Sequence, residues 1–287
     1  MATVRELRDR IRSLRNTQQI TKAMKQVAAA KIRRAEIAQR RARPYAQTLA
    51  EMLRDLVAAV SVVDHPFMRE GKGGAAPGVI LMTADKGLAG AFNSNVIRMA
   101  EQYAQGHRGV RFYSVGLKAR NAVRRMGQGQ HPTWPLGGGK LETAHAVAQN
   151  VSADFVAGEI GEIVLVSSTL VSMMSQRPKT RRLVPILKEA FSPTGAARAQ
   201  KGAVEFLPSP EFVLSLLLPK YLEFTLYSAM LETDAAFFAA QLIAMSNATD
   251  NAAKAIDEST IAMNNARQAA ITKELLEIVA GAEALAG

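Results

Sequence analysis

The residues with the strongest claim to chemistry lie in one short run, Asp85-Lys86-Gly87-Leu88-Ala89-Gly90, set between the apolar stretch Val79 to Thr83 and a helical pattern that starts at about Asn93. A strand-to-helix turn is where α/β folds cradle phosphates, because free backbone N–H groups and the positive end of a helix dipole converge there. This run has neither Gly-x-Gly-x-x-Gly spacing nor a Walker pattern, so it reads as a structural turn. Gly137-Gly138-Gly139-Lys140 ends as a P-loop ends, but Trp134 stands where the first glycine belongs and Leu141 where a Ser or Thr would hold magnesium. It reads as a flexible loop. His65, His107, His131 and His145 are scattered without ligand spacing or an accompanying His-Glu-x-x-His, which points to surface or loop positions and not to a metal centre. No Ser-His-Asp set or carboxylate pair can be assembled from the sequence. The expectation is therefore no catalytic residue, no metal and no cofactor.

Binding chemistry is better represented. Lys31, Arg33, Arg34, Arg40, Arg41 and Arg43 form a basic cluster, but no aromatic is interleaved with it and Tyr45 stands alone, so a single-stranded nucleic acid has nothing to stack on. The cluster reads as a solvated helix face, or as a contact for an acidic protein partner. The chain carries a net charge of +11, unevenly spread: residues 1 to 60 hold 14 Lys and Arg against 5 Asp and Glu, whereas residues 208 to 287 hold 4 against 10. The two ends are thus electrostatically complementary. Cysteine is absent, which removes disulfides, thiolate catalysis and cysteine-ligated metals together.

These groups need elements to position them. Of the 20 glycines, 18 fall between Gly71 and Gly202, and since a glycine inside a helix costs about 1 kcal/mol relative to alanine, two long helices flanking a looped middle are expected. The expected segments are 1–70, an N-terminal coiled-coil helix; 71–207, an α/β domain; and 208–287, a C-terminal coiled-coil helix. Thr3 with Glu6 forms a capping box for the first helix, and Ser209, Pro210 and Glu211 supply a cap, a first-turn proline and an acid for the last. From Leu214 through Leu231, Phe238, Met245, Ala252 and Ser259 to Ala270 an uncharged seam recurs at three- and four-residue spacing, the signature of a left-handed coiled coil. The first helix repeats it with Val4, Leu7, Ile11 and Leu14, then Ile20, Met24 and Val27, then Leu49, Met52 and Leu56, and Pro44 should kink it. The simplest partner for each helix is the other, antiparallel.

In the middle, Val79 to Thr83, Val110 to Val115 and Ile163 to Thr169 read as strands, and the stretches from about Asn93, near Lys118 to Met126 and from Leu141 to Gly158 as helices, which predicts a small, largely parallel, Rossmann-like α/β sheet. Arg181 to Leu187 is expected as an edge strand, and Gly127 to Gly139 and Ser192 to Gly202 as loops. Phe212 to Met230 is interrupted by Pro219, Lys220 and Glu223, so no stretch reaches the roughly 18 apolar residues of a membrane span. The opening residues are charged from Arg5 onward and read neither as a secretory signal nor as a transit peptide.

Several of these runs resemble one family. Thr21-Lys22-Ala23-Met24-Lys25-Gln26-Val27-Ala28-Ala29-Ala30-Lys31, the Asp85 to Gly90 loop with Asn93, Ala244 to Ala252, and above all Asn264-Asn265-Ala266-Arg267-Gln268-Ala269-Ala270-Ile271-Thr272-Lys273-Glu274-Leu275-Leu276-Glu277-Ile278-Val279-Ala280-Gly281-Ala282 are similar to the gamma subunit of rotary ATP synthases. The resemblance implies an antiparallel coiled-coil shaft inside a ring of three alpha and three beta subunits, an α/β domain outside it, and further contacts with the epsilon subunit and the c-ring. Its implied role is torque transfer: proton flow turns the c-ring, and the shaft drives the catalytic beta subunits through states of different nucleotide affinity. Arg267, Gln268 and Thr272 would meet the beta catch loops, with Met24 and Lys25 near the beta lever. Residence on the cytoplasmic face of a bacterial membrane is implied, held there indirectly through the c-ring, with no nucleic acid involved. Where many members carry a Ser-Glu pair and an Arg, this chain has Ala236, Phe237 and Gln241, and Gln26 stands at a frequent Met position. The competing readings are an α/β nucleotide-binding enzyme with helical arms, using Asp85 and Lys86, and a basic coiled-coil scaffold for nucleic acid.

Overall fold

A computed structural model describes residues 3–59, 65–128, 131–186 and 207–286. Two helices are far longer than the rest, α1 (Val4–Ala59) and α5 (Pro210–Ala286). Both start as their residues dictate. Glu6 Oε2 accepts from the Thr3 N–H at 2.9 Å and Thr3 Oγ1 from the Glu6 N–H at 3.3 Å, a capping box. Ser209 Oγ accepts from the Phe212 N–H at 3.2 Å at the start of α5. The helices run on through Pro44 and Pro219, each of which removes one backbone donor. No helix among the described residues is long and apolar enough to cross a membrane.

The chain forms two compact units, one of residues 1–28 with 241–287 and one of residues 29–240. In the first, α1 and α5 pair in opposite senses: Thr21 Oγ1 lies 2.9 Å from Thr249 Oγ1, and one turn on, Lys25 Nζ donates to Ser246 Oγ at 3.0 Å. Leu7, Ile11, Thr21 and Ala28 are buried on α1, and Met245, Ala252 and Ser259 on α5. The seam expected for α1 needs correction here. Ile20 and Val27 are exposed, at 60% and 53%, because the inward line runs through Thr21 and Ala28, one residue further along and about 100° round the helix. Small side chains on that line let the two backbones approach closely, so burial follows position and not hydrophobicity. Met52 faces outward as well.

The second unit holds a five-stranded sheet of order β3-β2-β1-β4-β5, with β1 Pro77–Met82, β2 Arg111–Val115, β3 Thr133–Trp134, β4 Glu162–Ser172 and β5 Ser175–Val184. The first four in that order are mutually parallel and β5 is antiparallel to β4. The edge strand lies earlier than expected: Pro185 follows it, and Leu187 falls outside the described residues, as does the expected loop Ser192 to Gly202. β3 emerges inside the expected loop Gly127 to Gly139, of which residues 129 and 130 are not described. Helices α2 (Phe92–Gln105) and α3 (Leu117–Arg125) cover one face of the sheet, where Val96, Ala100, Ala119 and Val123 meet Val79, Leu81, Phe112 and Val166. The other face packs Ile80, Met82, Tyr113 and Leu165 against α4 (Lys140–Val156), Leu53 and Leu56 of α1, and α5.

On α5 the most deeply buried row in this unit is Leu214, Leu218, Leu222 and Leu226, four residues apart. Only Leu214 belongs to the expected seam. The seam members Tyr221 and Phe224 sit alongside that row, with the Tyr45 and Phe224 rings 4.6 Å apart, so α5 carries a second apolar face because it has both α1 and the sheet to cover.

Candidate partner-binding and coupling sites

In open α/β sheets ligands bind beyond the carboxyl ends of the strands, at the point where strand order reverses. Here that point lies between β1 and β4, and the run Asp85 to Gly90 leaves it directly from β1. Asp85 fills the place with its own carboxylate. Oδ1 accepts from the N–H of Leu117, at the start of α3, at 2.9 Å and from that of Leu136 at 3.3 Å, and Oδ2 accepts from the Gly137 N–H at 2.8 Å. The donors that would greet a phosphate are already satisfied by an internal anion. Gly116 precedes α3 at φ 98°, and a Cβ there would collide with the Thr83 carbonyl, so glycine is required.

Asn93 closes the turn from the other side, its Oδ1 accepting from the Ala84 N–H at 3.0 Å and its Nδ2 donating to the Lys86 carbonyl at 3.1 Å. Ala84, Ala89 and Phe92 then pack on Ala236, Phe237 and Ala240 of α5, with the Phe92 and Phe237 rings 5.7 Å apart. The crevice is roofed by helix, which matches the structural reading of this turn.

Lys140, the residue that gave the glycine loop its P-loop ending, lies 2.7 Å from Asp234 Oδ2 on α5, both side chains being less than one-fifth exposed. Burial raises the Asp234 carboxyl above its ordinary value, and the Lys140 ammonium opposes that rise. This pair was not foreseen. Its signal was an acid, Asp234, directly before the apolar run Ala235-Ala236-Phe237-Phe238-Ala239-Ala240, where a buried charge needs a partner. Five residues along α4, His145 Nδ1 lies 2.9 Å from Glu223 Oε2. The other histidines also serve locally: His131 faces Ser114 Oγ at 2.8 Å, burial lowering its affinity for a proton, His107 stacks on Tyr103, and His65 accepts from the Phe67 N–H. Among the described residues no three His, Asp or Glu side chains are placed to hold a metal ion.

The residues singled out for partner contact all lie in the first unit, and they do not converge. Met24 is half-buried, and Lys25 is exposed and bonded to Ser246. Arg267 lies 21 residues beyond Ser246, on the order of 30 Å along α5. Arg267, Gln268 and Thr272 are exposed, Thr272 Oγ1 donating to the Gln268 carbonyl at 3.0 Å. Every residue from Arg267 to Ala282 is exposed, and Ile271, Leu275, Leu276, Ile278 and Val279 are among them, at 49% to 67%. An apolar surface of that extent marks a place where another molecule belongs.

The family model described as "ATP synthase" matches residues 3–285. A relative from Heliobacterium modesticaldum, an ATP synthase gamma chain, is 41% identical over 292 residues, covering 99% of this chain and 100% of its own length. The chain belongs to the ATP synthase gamma chain family. Another gamma chain, from Symbiobacterium thermophilum, is 43% identical over 284 residues, covering 97% of this chain and 96% of that one. Two solved structures share the fold: a chain of the Euglena gracilis mitochondrial ATP synthase (OSCP/F1/c-ring, rotational state 3) at TM-score 0.72, with 19% identity over 98% of this chain and 94% of that chain, and one from the Tetrahymena thermophila mitochondrial ATP synthase (central stalk/c-ring) at 0.59, with 23% identity over 80% and 99%. As a gamma chain the protein is the rotor shaft of an ATP synthase and is not catalytic by itself, which sets aside the nucleotide-binding-enzyme and nucleic-acid-scaffold readings.

Proposed function

We propose that α5 beyond Ala266 and the paired α1 and α5 of the first unit turn inside a ring of three alpha and three beta subunits, with Arg267, Gln268 and Thr272 engaging the beta catch loops and Met24 and Lys25 the beta lever. The observation that carries this reading is the run from Arg267 to Ala282, exposed throughout and bearing five large apolar side chains that nothing among the described residues covers. Arg267 makes no ion pair among the described residues. Its guanidinium is free to form bidentate bonds with a carboxylate at one rotor angle and release them at the next.

The remaining partners belong to the same reading. The segment 71–207 serves as an α/β domain outside the ring, meeting the epsilon subunit and the c-ring, with 1–70 and 208–287 as the shaft helices. Membrane association is then indirect, through the c-ring, on the cytoplasmic face of a bacterial cell membrane. Affinity purification of the tagged full chain from detergent-solubilised membranes tests this. Alpha, beta and epsilon subunits should elute with it together with the c-ring, and a chain recovered without alpha and beta would refute the assignment.

A further inference from the structure

The Asp85 turn and the Gly137-Gly138-Gly139-Lys140 loop, the two phosphate-like features of the sequence, touch each other in the fold. Asp85 draws the backbone of Leu136 and Gly137 onto its carboxylate. A Cβ at Gly137 would sit 3.2 Å from Asp85 Oδ2, so the glycine lets the carboxylate come close without displacement. Three residues on, Lys140 opens α4 and reaches Asp234 on α5 at 2.7 Å. The chain of contacts therefore runs from β1, through Asp85 and the glycine loop, to a largely buried ion pair between α4 and the shaft helix. Lys140 is fixed at both ends, its backbone by the loop that Asp85 holds and its ammonium by Asp234.

We propose that the Lys140–Asp234 pair is a force-bearing contact through which the α/β domain grips the shaft helix during rotation, and that Asp85 is the residue positioning Lys140 for it. Apolar packing between α5 and the sheet holds the two together through shape, and an ion pair adds a directional restraint at one point of that contact. An ion pair whose partners are desolvated and aimed by the backbone has one geometry and resists displacement from it. The pair at His145 and Glu223 lies on the same two helices but is nearly half-exposed on the histidine side, and is the weaker restraint.

The inference rests on the rotor reading above, and the experiment separates the two. ATP synthase carrying Lys140→Met, Asp234→Asn, Asp85→Ala, or Lys140→Asp with Asp234→Lys is reconstituted into proteoliposomes, and ATP-driven proton pumping is divided by ATP hydrolysed in the same vesicles. Each of the three single substitutions should lower that ratio on the order of twofold or more. The reversed pair should restore most of it, and should not restore it when combined with Asp85→Ala. A wild-type ratio in assembled Lys140→Met and Asp234→Asn complexes would overturn the proposal, as would a reversed pair no better than the single substitutions. Failure of both to assemble would also overturn it, because the contact would then serve folding. Failure of the wild-type chain to bring down alpha and beta subunits would instead strike the rotor reading.

Discussion

Helix α5 is two different helices in its chemistry. Between Leu214 and Ala240 it buries large residues on more than one side, Leu218, Leu222 and Leu226 toward the sheet and Phe224 against Tyr45. Between Gln241 and Ser259 it buries a narrow line of Met245, Ala252 and Ser259 opposite one helix. The width of the buried face reports the number of partners, and side-chain size reports how closely the partner comes. From Arg267 to Ala282 every residue is exposed although five of the side chains are large and apolar, and the same logic points to a partner outside the described residues.

The largest expected effect lies in the broad region. Leu222→Ala, at a side chain 1% exposed, should destabilise the isolated chain by about 2 to 5 kcal/mol in urea unfolding. The narrow region should be sensitive in the opposite sense. Ala252→Leu should cost about 1 to 3 kcal/mol by overpacking, because a close-approach position has no room for added methylenes. A neutral result would mean that small size there is incidental, and the comparison would lose its second half.

A smaller effect concerns pH within the broad region. Burial alone would raise the Glu223 carboxyl, but hydrogen bonds from His145 and Lys220 outweigh it and hold the carboxyl below its ordinary value of 4.5. A depressed folded value means the group's stabilisation is present above 4.5 and disappears as pH falls through the folded value. Glu223→Gln should therefore flatten the acid limb of the stability curve below that pH, read by thermal unfolding from pH 7 downward, and an unchanged limb would show that the His145 and Lys220 bonds contribute nothing.

How much of this was legible depended on whether a residue's role was local. Thr3 with Glu6 and Ser209 with Pro210 announced the helix starts, because caps are satisfied within one turn. β1, β2 and β4 are buried on both faces and read as continuous apolar runs. The two-residue β3 and the charged front half of β5, with Arg177 and Lys179, carry no such run, since an edge exposes its side chains. Ile20 and Val27 are apolar yet exposed, since apolar character alone does not fix which face a helix buries, and the row at Leu218, Leu222 and Leu226 lies off the coiled-coil spacing. The Lys140–Asp234 pair joins residues 94 positions apart, beyond the reach of any spacing rule. Arg267 emerged only through resemblance, since an exposed arginine on an exposed helix has no local signature.

The claim at the centre of the account is that the uncovered end of α5 bears on the surrounding ring through Arg267. Gln241 provides the control: it lies on the same helix but is 8% exposed and neutral, so it is turned into the chain. A charged hydrogen bond is worth about 1.5 to 3 kcal/mol and a neutral one nearer 1. ATP synthesis by membranes, normalised to the amount of assembled complex, should fall far more for Arg267→Ala than for Gln241→Ala, with both assembling normally. Comparable losses in the two would contradict the account and remove Arg267 from the contact.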